Sequence, residues 1–289
     1  MTQRRRAISP PLVVKFGGEL LEEPERLRTV VDAMVCVAGR GQPLVIVHGG
    51  GKEIDRALQT AGIEKRQVEG LRITDQATRD VVVAVLAGSV NTRLVAALMS
   101  AGALAVGLTG ADGGCGWATA APPHRTVDGR LIDLELVGSP SDRADMRLLR
   151  TLLYDGFVPV IACLGLDNEG RVLNVNADTF AGEVAARVGA RRLVIAGTTP
   201  GVLDPRGATV LTLDTAEVEA LIRDGTATAG MIAKLRACAQ ALARGVADVV
   251  IVDGRDGRSL EQAVSGEVPA TATRLIAHHV SREVSVSES

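Results

Sequence analysis

The sequence predicts an α/β protein organised on a mostly parallel sheet, and three observations carry that reading. Short aliphatic segments of strand length recur along the chain, amphipathic segments of helical period separate them, and 46% of the 289 residues are apolar, enough for a sizeable core. A helix that returns the chain to the same edge of a sheet makes the next strand parallel to the last, so this alternation implies βαβ units.

In order along the chain, Leu12-Val13-Val14-Lys15-Phe16 reads as a strand stopped by Gly17-Gly18, and a helical period follows over 24–38. Pro43 opens a second strand, Leu44-Val45-Ile46-Val47-His48, which ends at Gly49-Gly50-Gly51 and precedes a helix over 54–61. A long helix is expected over 76–100, a strand over 103–108 and a turn over 110–113. Asp128-Gly129 between Arg125-Thr126-Val127 and Leu131-Ile132 signals a hairpin, an antiparallel excursion from the alternation. A helix over 144–153 and a strand over 158–162 resume it; Asn168-Glu169-Gly170 turns, and a helix covers 177–188. A second block holds a strand over 192–196, a turn at Pro205-Arg206-Gly207, helices over 216–223 and 231–244, and a strand over 249–252. The lobe boundary is placed near Gly189: an N-terminal extension over 1–11, lobes over 12–189 and 190–279, and a loose Ser/Glu-rich tail over 280–289.

Composition excludes several function classes. Thirty-two basic against 34 acidic residues leave a net charge of −2, so no basic field exists for nucleic acid or an anionic membrane surface. One Trp, one Tyr and three Phe leave few platforms for base stacking. The longest unbroken apolar run, 81–87, falls far short of the roughly 18 residues of a membrane span, and Pro10 and Pro11 deny the basic start an apolar signal core. Cys36, Cys115, Cys163 and Cys238 are scattered without a metal spacing, read as packing residues, and suit a reducing cytoplasm.

The chemistry is expected where strands end. Glycines directly after a parallel strand let backbone N–H groups approach an anion, and the helix behind supplies a positive end. Both Gly17-Gly18 and Gly49-Gly50-Gly51 have this placement. Gly49-Gly50-Gly51-Lys52 is not a nucleotide P-loop, because Ile46 stands where that pattern needs Gly and Glu53 where it needs Ser or Thr. Gly107-Leu108-Thr109-Gly110 is too short for a dinucleotide fingerprint. Asn174-Val175-Asn176-Ala177-Asp178 sets three polar groups at alternate positions before a helix, where Asn176 or Asp178 could equally be an N-cap. Only four of the 32 cations are lysines: Lys15, Lys52, Lys65 and Lys234. Lys65 reads as a solvated charge. Lys234, in Gly230-Met231-Ile232-Ala233-Lys234, falls on the first turn of the expected helix, where the macrodipole opposes a cation and an anionic partner would explain it.

Taken in order, Lys15-Phe16-Gly17-Gly18, His48-Gly49-Gly50-Gly51, Gly70-Leu71-Arg72-Ile73-Thr74, Asn174 to Asp178, Gly201-Val202-Leu203-Asp204 and Gly230 to Lys234 resemble the amino-acid kinase family. Within it they are most similar to the branch that acts on N-acetyl-L-glutamate. The resemblance covers about residues 12–277. It implies an open three-layer α/β/α sandwich and ATP-dependent phosphorylation of the substrate's γ-carboxylate in arginine biosynthesis, with the N-terminal lobe binding acetylglutamate and the C-terminal lobe the nucleotide. It further implies that Lys15 and Lys234 stabilise charge on the transferring phosphoryl group while Asp178 orients them. Gly17, Gly18, Gly50 and Gly51 would give backbone donors, the latter two bordering the substrate with Arg72 and Asn174. The nucleotide would lie along Thr198, Thr199, Pro200, Gly201, Val202 and Leu203 and along Thr226, Ala227 and Thr228, with Mg²⁺ carried on its phosphates.

The chain departs from the family pattern at Thr198, where a carboxylate is usual, and at Ala229. Arginine-inhibited hexameric members share a long helix before the first strand, whereas about eleven residues precede Leu12 here. The resemblance therefore implies a homodimer, joined through the helix over 76–100 and insensitive to arginine. Competing readings are a kinase of a related N-blocked acid such as aminoadipate, and a catalytically weak regulatory module on the same fold.

Overall fold

The computed structural model of the chain describes residues 9–126, 128–223 and 229–278. Eight strands make one sheet: β1 (Leu12–Phe16), β2 (Leu44–His48), β3 (Ala105–Thr109), β4 (Val158–Ala162), β5 (Arg192–Gly197), β6 (Thr212–Asp214), β7 (Val249–Asp253) and β8 (Thr273–Ile276). Their spatial order is β6-β8-β7-β5-β1-β2-β4-β3, parallel throughout except for β8 against β7. β1, β2 and β5 are buried along their whole length, as expected of parallel strands covered on both faces. The sheet is α/β as expected, and it runs without a break across the position near Gly189, because β1 pairs with β5 from Leu12↔Arg192 to Phe16↔Ala196.

The main helices are α1 (Pro24–Gly39), α2 (Gly51–Thr60), α3 (Gln76–Ser100), α4 (Arg147–Tyr154), α5 (Ala177–Val188), α6 (Thr215–Arg223), α7 (Ala229–Ala243) and α8 (Gly257–Ser265). α2 starts three residues earlier than the apolar period implied, since Gly50 serves as its N-cap directly after the strand. The expected helix over 144–153 begins only at Arg147. Several short elements carry too few residues to show any period: a four-stranded sheet of Leu164–Leu166, Val172–Val175, Val137–Pro140 and Ala118–Ala120, and a hairpin pairing Gln67–Val68 with Leu71–Arg72. The hairpin signalled by Asp128-Gly129 pairs His124–Arg125 with Leu131–Ile132, and Gly129 takes the left-handed conformation at φ 86°. The loose tail expected over 280–289 and residues 1–8 lie outside the described residues.

α3 buries Val82, Leu86, Val90, Leu94 and Leu98, a strict four-residue step. Such a row would walk about 160° around an ideal helix over sixteen residues, away from the sheet. A π-helical stretch over Ala84–Val90, in which the Asn91 N–H reaches the Leu86 carbonyl, widens the turn and returns the row to the core. By length and composition α3 is long and apolar enough to cross a bilayer, with mean hydropathy 1.9 over 18 residues. The longest unbroken apolar run within it is still 81–87, because Gly88, Ser89, Asn91, Thr92 and Arg93 interrupt the sequence.

At the end of the sheet opposite the glycine turns, Arg192 at the start of β5 meets Asp248 through two hydrogen bonds, Nε–Oδ1 at 3.0 Å and Nη2–Oδ2 at 2.8 Å. Its Nη1 donates to the Ala263 and Glu267 carbonyls, so one guanidinium ties β5, β7 and the end of α8 together. Both side chains are less than a tenth exposed. Asp248→Ala would strand a buried cation, a change that typically costs about 3–5 kcal/mol. Urea denaturation should show a markedly lower midpoint for that variant, whereas Arg130→Ala, which removes an exposed pair with Asp128, should leave the curve in place.

Candidate functional site

Two glycine turns meet at the carboxyl edge of the sheet. Gly17 N–H donates to the Ala196 carbonyl (3.0 Å) and Gly49 N–H to the Phe16 carbonyl (3.2 Å), so both amides continue the strand ladder. The Gly18, Gly50 and Gly51 amides donate to no acceptor among the described residues. Gly17 is thus corrected: it shapes the turn and offers no free donor. A Cβ on Gly18 would lie 2.6 Å from Gly50 Cα, so the two turns touch in a way only glycine permits.

Lys15, Asp178 and Lys234 come together beside these turns. Strand alternation along β1 places Lys15 one residue before its end, and Asp178 lies in the first turn of α5. The N-cap of that helix is Asn176, whose Oδ1 accepts from the Asp178 and Thr179 amides at 3.0 and 3.1 Å. Lys234 lies in the second turn of α7. Lys15 Nζ stands 2.8 Å from Asp178 Oδ1 as an ion contact rather than an aligned hydrogen bond, and Lys234 Nζ donates to Oδ2 at 3.2 Å.

Burial pushes against every charge in this group, and the partners decide the outcome. For Asp178 burial works upward, but the two ammonium groups outweigh it and hold the carboxyl at about 2. For Lys15 burial works downward, and Asp178, with Glu19 assisting, outweighs it and raises the ammonium. Lys234 is lowered, by burial first and then by Lys15. Cys163 and Cys238 are pushed up to about 12 by burial and remain neutral thiols, the packing role expected of them. Asp178 is the one carboxylate in contact with both cations, and Glu19 adds its charge to Lys15.

Arg72 projects from the hairpin strand Leu71–Arg72 and is 10% exposed. Its Nη2 meets Asp55 Oδ1 at 2.5 Å and the Gly51 carbonyl at 3.4 Å, while its buried Nη1 has no partner among the described residues. Asp55 also receives Lys65 at 2.7 Å, so Lys65 is a paired rather than a purely solvated charge. Asn174 Nδ2 donates to Thr74 Oγ1 at 3.2 Å. Asp55 and Glu19 were not singled out in the sequence, and Thr74 appeared only as the end of a motif; Asp55 and Thr74 earn their places through Arg72 and Asn174, and Glu19 through Lys15 across the turn.

Of the segment expected to hold a nucleotide, Thr198, Thr199 and Pro200 follow β5 at the same edge, with Thr199 and Leu203 exposed. Val202 is corrected: its side chain is 3% exposed within the core and its N–H donates to Thr273 Oγ1 at 2.8 Å. Gly201, at φ +70°, passes so close to Thr273 that a Cβ would lie 2.7 Å from its amide nitrogen. Thr226, Ala227 and Thr228 lie outside the described residues. Among the described residues no group of three or more His, Cys, Asp and Glu side chains could hold a metal ion.

Residues 10–253 match the model of the amino acid kinase family. An acetylglutamate kinase from Novosphingobium aromaticivorans is 40% identical over 252 residues, covering 84% of this chain and 83% of the relative. One from Brucella abortus is 40% identical over 255 residues, covering 86% and 85%. Among solved structures, N-acetylglutamate synthase from Neisseria gonorrhoeae complexed with coenzyme A and N-acetyl-glutamate superposes with TM-score 0.79 at 26% identity over 94% of this chain, which spans 60% of that protein's length. Giardia carbamate kinase, at 13% identity and TM-score 0.66, shares the fold.

The depressed Asp178 carboxyl makes a prediction about acid stability. A group held at about 2 when folded, against 3.8 unfolded, contributes stability that is complete above pH 4 and disappears between pH 4 and 2. The melting temperature of Asp178→Asn should therefore fall below the unaltered protein's at pH 7, with the gap closing as pH drops from 4 toward 2. A gap that stays constant over that range would sink the assignment.

Proposed function

Because the chain belongs to the amino acid kinase family, we propose that it transfers the γ-phosphoryl group of ATP to the γ-carboxylate of N-acetyl-L-glutamate, forming N-acetylglutamyl 5-phosphate for arginine biosynthesis. The observation that carries this reading is the pair of buried ammonium groups on one carboxylate at the sheet edge where the Gly18, Gly50 and Gly51 amides have no acceptor among the described residues. The acceptor carboxylate is already a nucleophile at pH 7, so no base is needed. One of its oxygens forms a bond to the γ-phosphorus as the bond from that phosphorus to the β–γ bridging oxygen breaks, and ADP leaves with the electron pair. Catalysis then consists of bringing two anions into line and cancelling their charge.

Lys15 and Lys234 take up charge on the transferring group, and Asp178 holds both at fixed spacing. Gly18, Gly50 and Gly51 supply backbone donors. The unpartnered Nη1 of Arg72 is offered to the α-carboxylate that does not react, and Asn174 to neighbouring polar atoms. The nucleotide is assigned to the outer side of Thr198 to Leu203, and to Thr226, Ala227 and Thr228, in the lobe over 190–279; acetylglutamate is assigned to the lobe over 12–189. Mg²⁺ is assigned to the nucleotide phosphates, where it would neutralise charge between the β- and γ-groups. Both Asp178 oxygens are already engaged by ammonium groups, which fits a metal carried by the nucleotide. Val81, Val83, Ala87 and Val95 on α3 pack against the core but stay only partly buried, and this residual apolar surface supports a homodimer through that helix.

Purified protein incubated with MgATP, N-acetylglutamate and hydroxylamine should yield the hydroxamate of the acyl phosphate, far faster than with N-acetylaspartate or N-acetylaminoadipate. Lys15→Ala and Lys234→Ala should each lower kcat by ~10²- to 10³-fold. Arginine at either place should fail as well, because its wider fork displaces the anion. Arg72→Ala should raise KM for N-acetylglutamate much more than KM for ATP, and equal effects on the two would remove Arg72 from substrate binding. Light scattering should report a dimer; a monomer would dismiss the role of α3.

A further inference from the structure

His48, the last residue of β2, is fully buried immediately before the glycine turn. Its Nδ1 lies 3.2 Å from the Gly49 carbonyl and its Nε2 lies 3.0 Å from Asn91 Nδ2. The Asn91 amide cannot be reversed, because Nδ2 also stands 2.9 Å from the Val160 carbonyl and 3.5 Å from the Leu108 carbonyl, both acceptors only. One Nδ2 hydrogen goes to Val160, and the other points at His48 Nε2, which must accept it. The imidazole proton is therefore on Nδ1 and is donated to Gly49. Burial pushes His48 down to about 4 against the Gly49 hydrogen bond, with Arg93 of α3 acting in the same direction as burial, so the ring stays neutral.

The Gly49 carbonyl and the Gly50 N–H belong to one planar trans peptide and point in opposite directions. Fixing the carbonyl on His48 therefore aims the Gly50 N–H away from the core, toward the open edge where it has no protein acceptor. Asn91 itself is delivered by the π-helical stretch of α3, whose last hydrogen bonds its own N–H makes. Gly107 is the other condition, since a Cβ there would lie 2.2 Å from Asn91 Oδ1. We propose that Asn91 and His48 are positioning residues that orient the Gly49–Gly50 peptide, so that the Gly50 N–H meets the transferring phosphoryl group. The inference rests on the kinase reading above and names two residues of its machinery that touch neither substrate.

The test combines imidazole ¹⁵N–¹H NMR with the hydroxamate assay. The signal lost in His48→Asn should belong to a ring protonated at Nδ1 and neutral from pH 5 to 8 in the unaltered enzyme. His48→Asn keeps a donor N–H near the Nδ1 position and should retain kcat within ~10-fold. His48→Gln keeps the acceptor for Asn91 but loses the Gly49 bond, and it should drop kcat by ~10²-fold, the scale of a displaced reacting group, with KM for N-acetylglutamate nearly unchanged. Asn91→Leu should lose the Nδ1 tautomer and fall with His48→Gln. An Nε2-protonated ring, or a folded His48→Gln enzyme at full kcat, would overturn the proposal, and the tautomer decides it even if a variant fails to fold. No hydroxamate from the unaltered enzyme would overturn the kinase reading and with it this role, whereas normal turnover with an Nε2-protonated ring would overturn this role alone.

Discussion

Two ammonium groups cannot be buried side by side without an anion between them, and the site meets that constraint with a single carboxylate in contact with both, Glu19 acting on Lys15 from further off. Asp178 Oδ1 and Oδ2 each face one lysine, so this one carboxylate is shared between two cations, and Glu19 adds its charge to Lys15 alone. Burial magnifies the consequence, because an ammonium group in a low-dielectric setting attracts an incoming anion more strongly than an exposed lysine would. The opposite directions of the two lysine shifts express the same imbalance: Asp178 secures Lys15, while Lys234 bears burial and the repulsion of its neighbour.

The fold supplies the three groups from places that local structure alone cannot bring together. Lys15 stands in a central strand flanked on both sides, the most rigid position an open sheet offers. Asp178 and Lys234 come from α5 and α7, which pack so closely that a Cβ on Gly182 would meet the Ala241 methyl at 3.3 Å. The spacing of the charges is therefore set by strand-to-helix and helix-to-helix packing, not by the flexible ends of side chains. The clamp of Arg192 on Asp248 at the far end of β5 and β7 holds the other end of the same frame.

Much of this was legible in the sequence, and the rest shows where a linear reading stops. The strands Leu12–Phe16, Leu44–His48 and Val158–Ala162 and the helix Ala177–Val188 coincide with their expected bounds, because continuous aliphatic runs stopped by glycines, and an asparagine cap before a period, are local signals. Lys234 was legible as a cation at an unfavourable helix start, and Lys15 and Asp178 were joined to it only through the family resemblance; the structure brings the three side chains together. Gly17 was not separable from Gly18, since which amide belongs to the ladder depends on the register of β1 against β5. Val202 lies next to exposed Leu203, and only Thr273, far along the chain, decides which of them faces the core. His48 and Asn91 are 43 residues apart and meet because one helical turn is widened, a feature with no sequence period of its own.

The titratable groups around the reacting edge discriminate between acceptor chemistries. A hydroxyl acceptor must lose a proton as it attacks, which calls for a base poised near neutral pH. Among the described residues at this edge, Asp178 is held at about 2 by its two cations, His48 is buried, neutral and committed through both ring nitrogens, and the Cys163 and Cys238 thiols stay protonated. None of these is a base suited to that task. A carboxylate acceptor has no proton to give up, and its difficulty is electrostatic: it must approach a phosphoryl group of like charge. Compact ammonium groups and backbone amides meet that difficulty, and in a chain whose cations are overwhelmingly arginine, two of only four lysines stand where it arises. A pair of buried ammonium groups beside backbone amides thus suits the electrostatic requirement that transfer of phosphate to a carboxylate imposes.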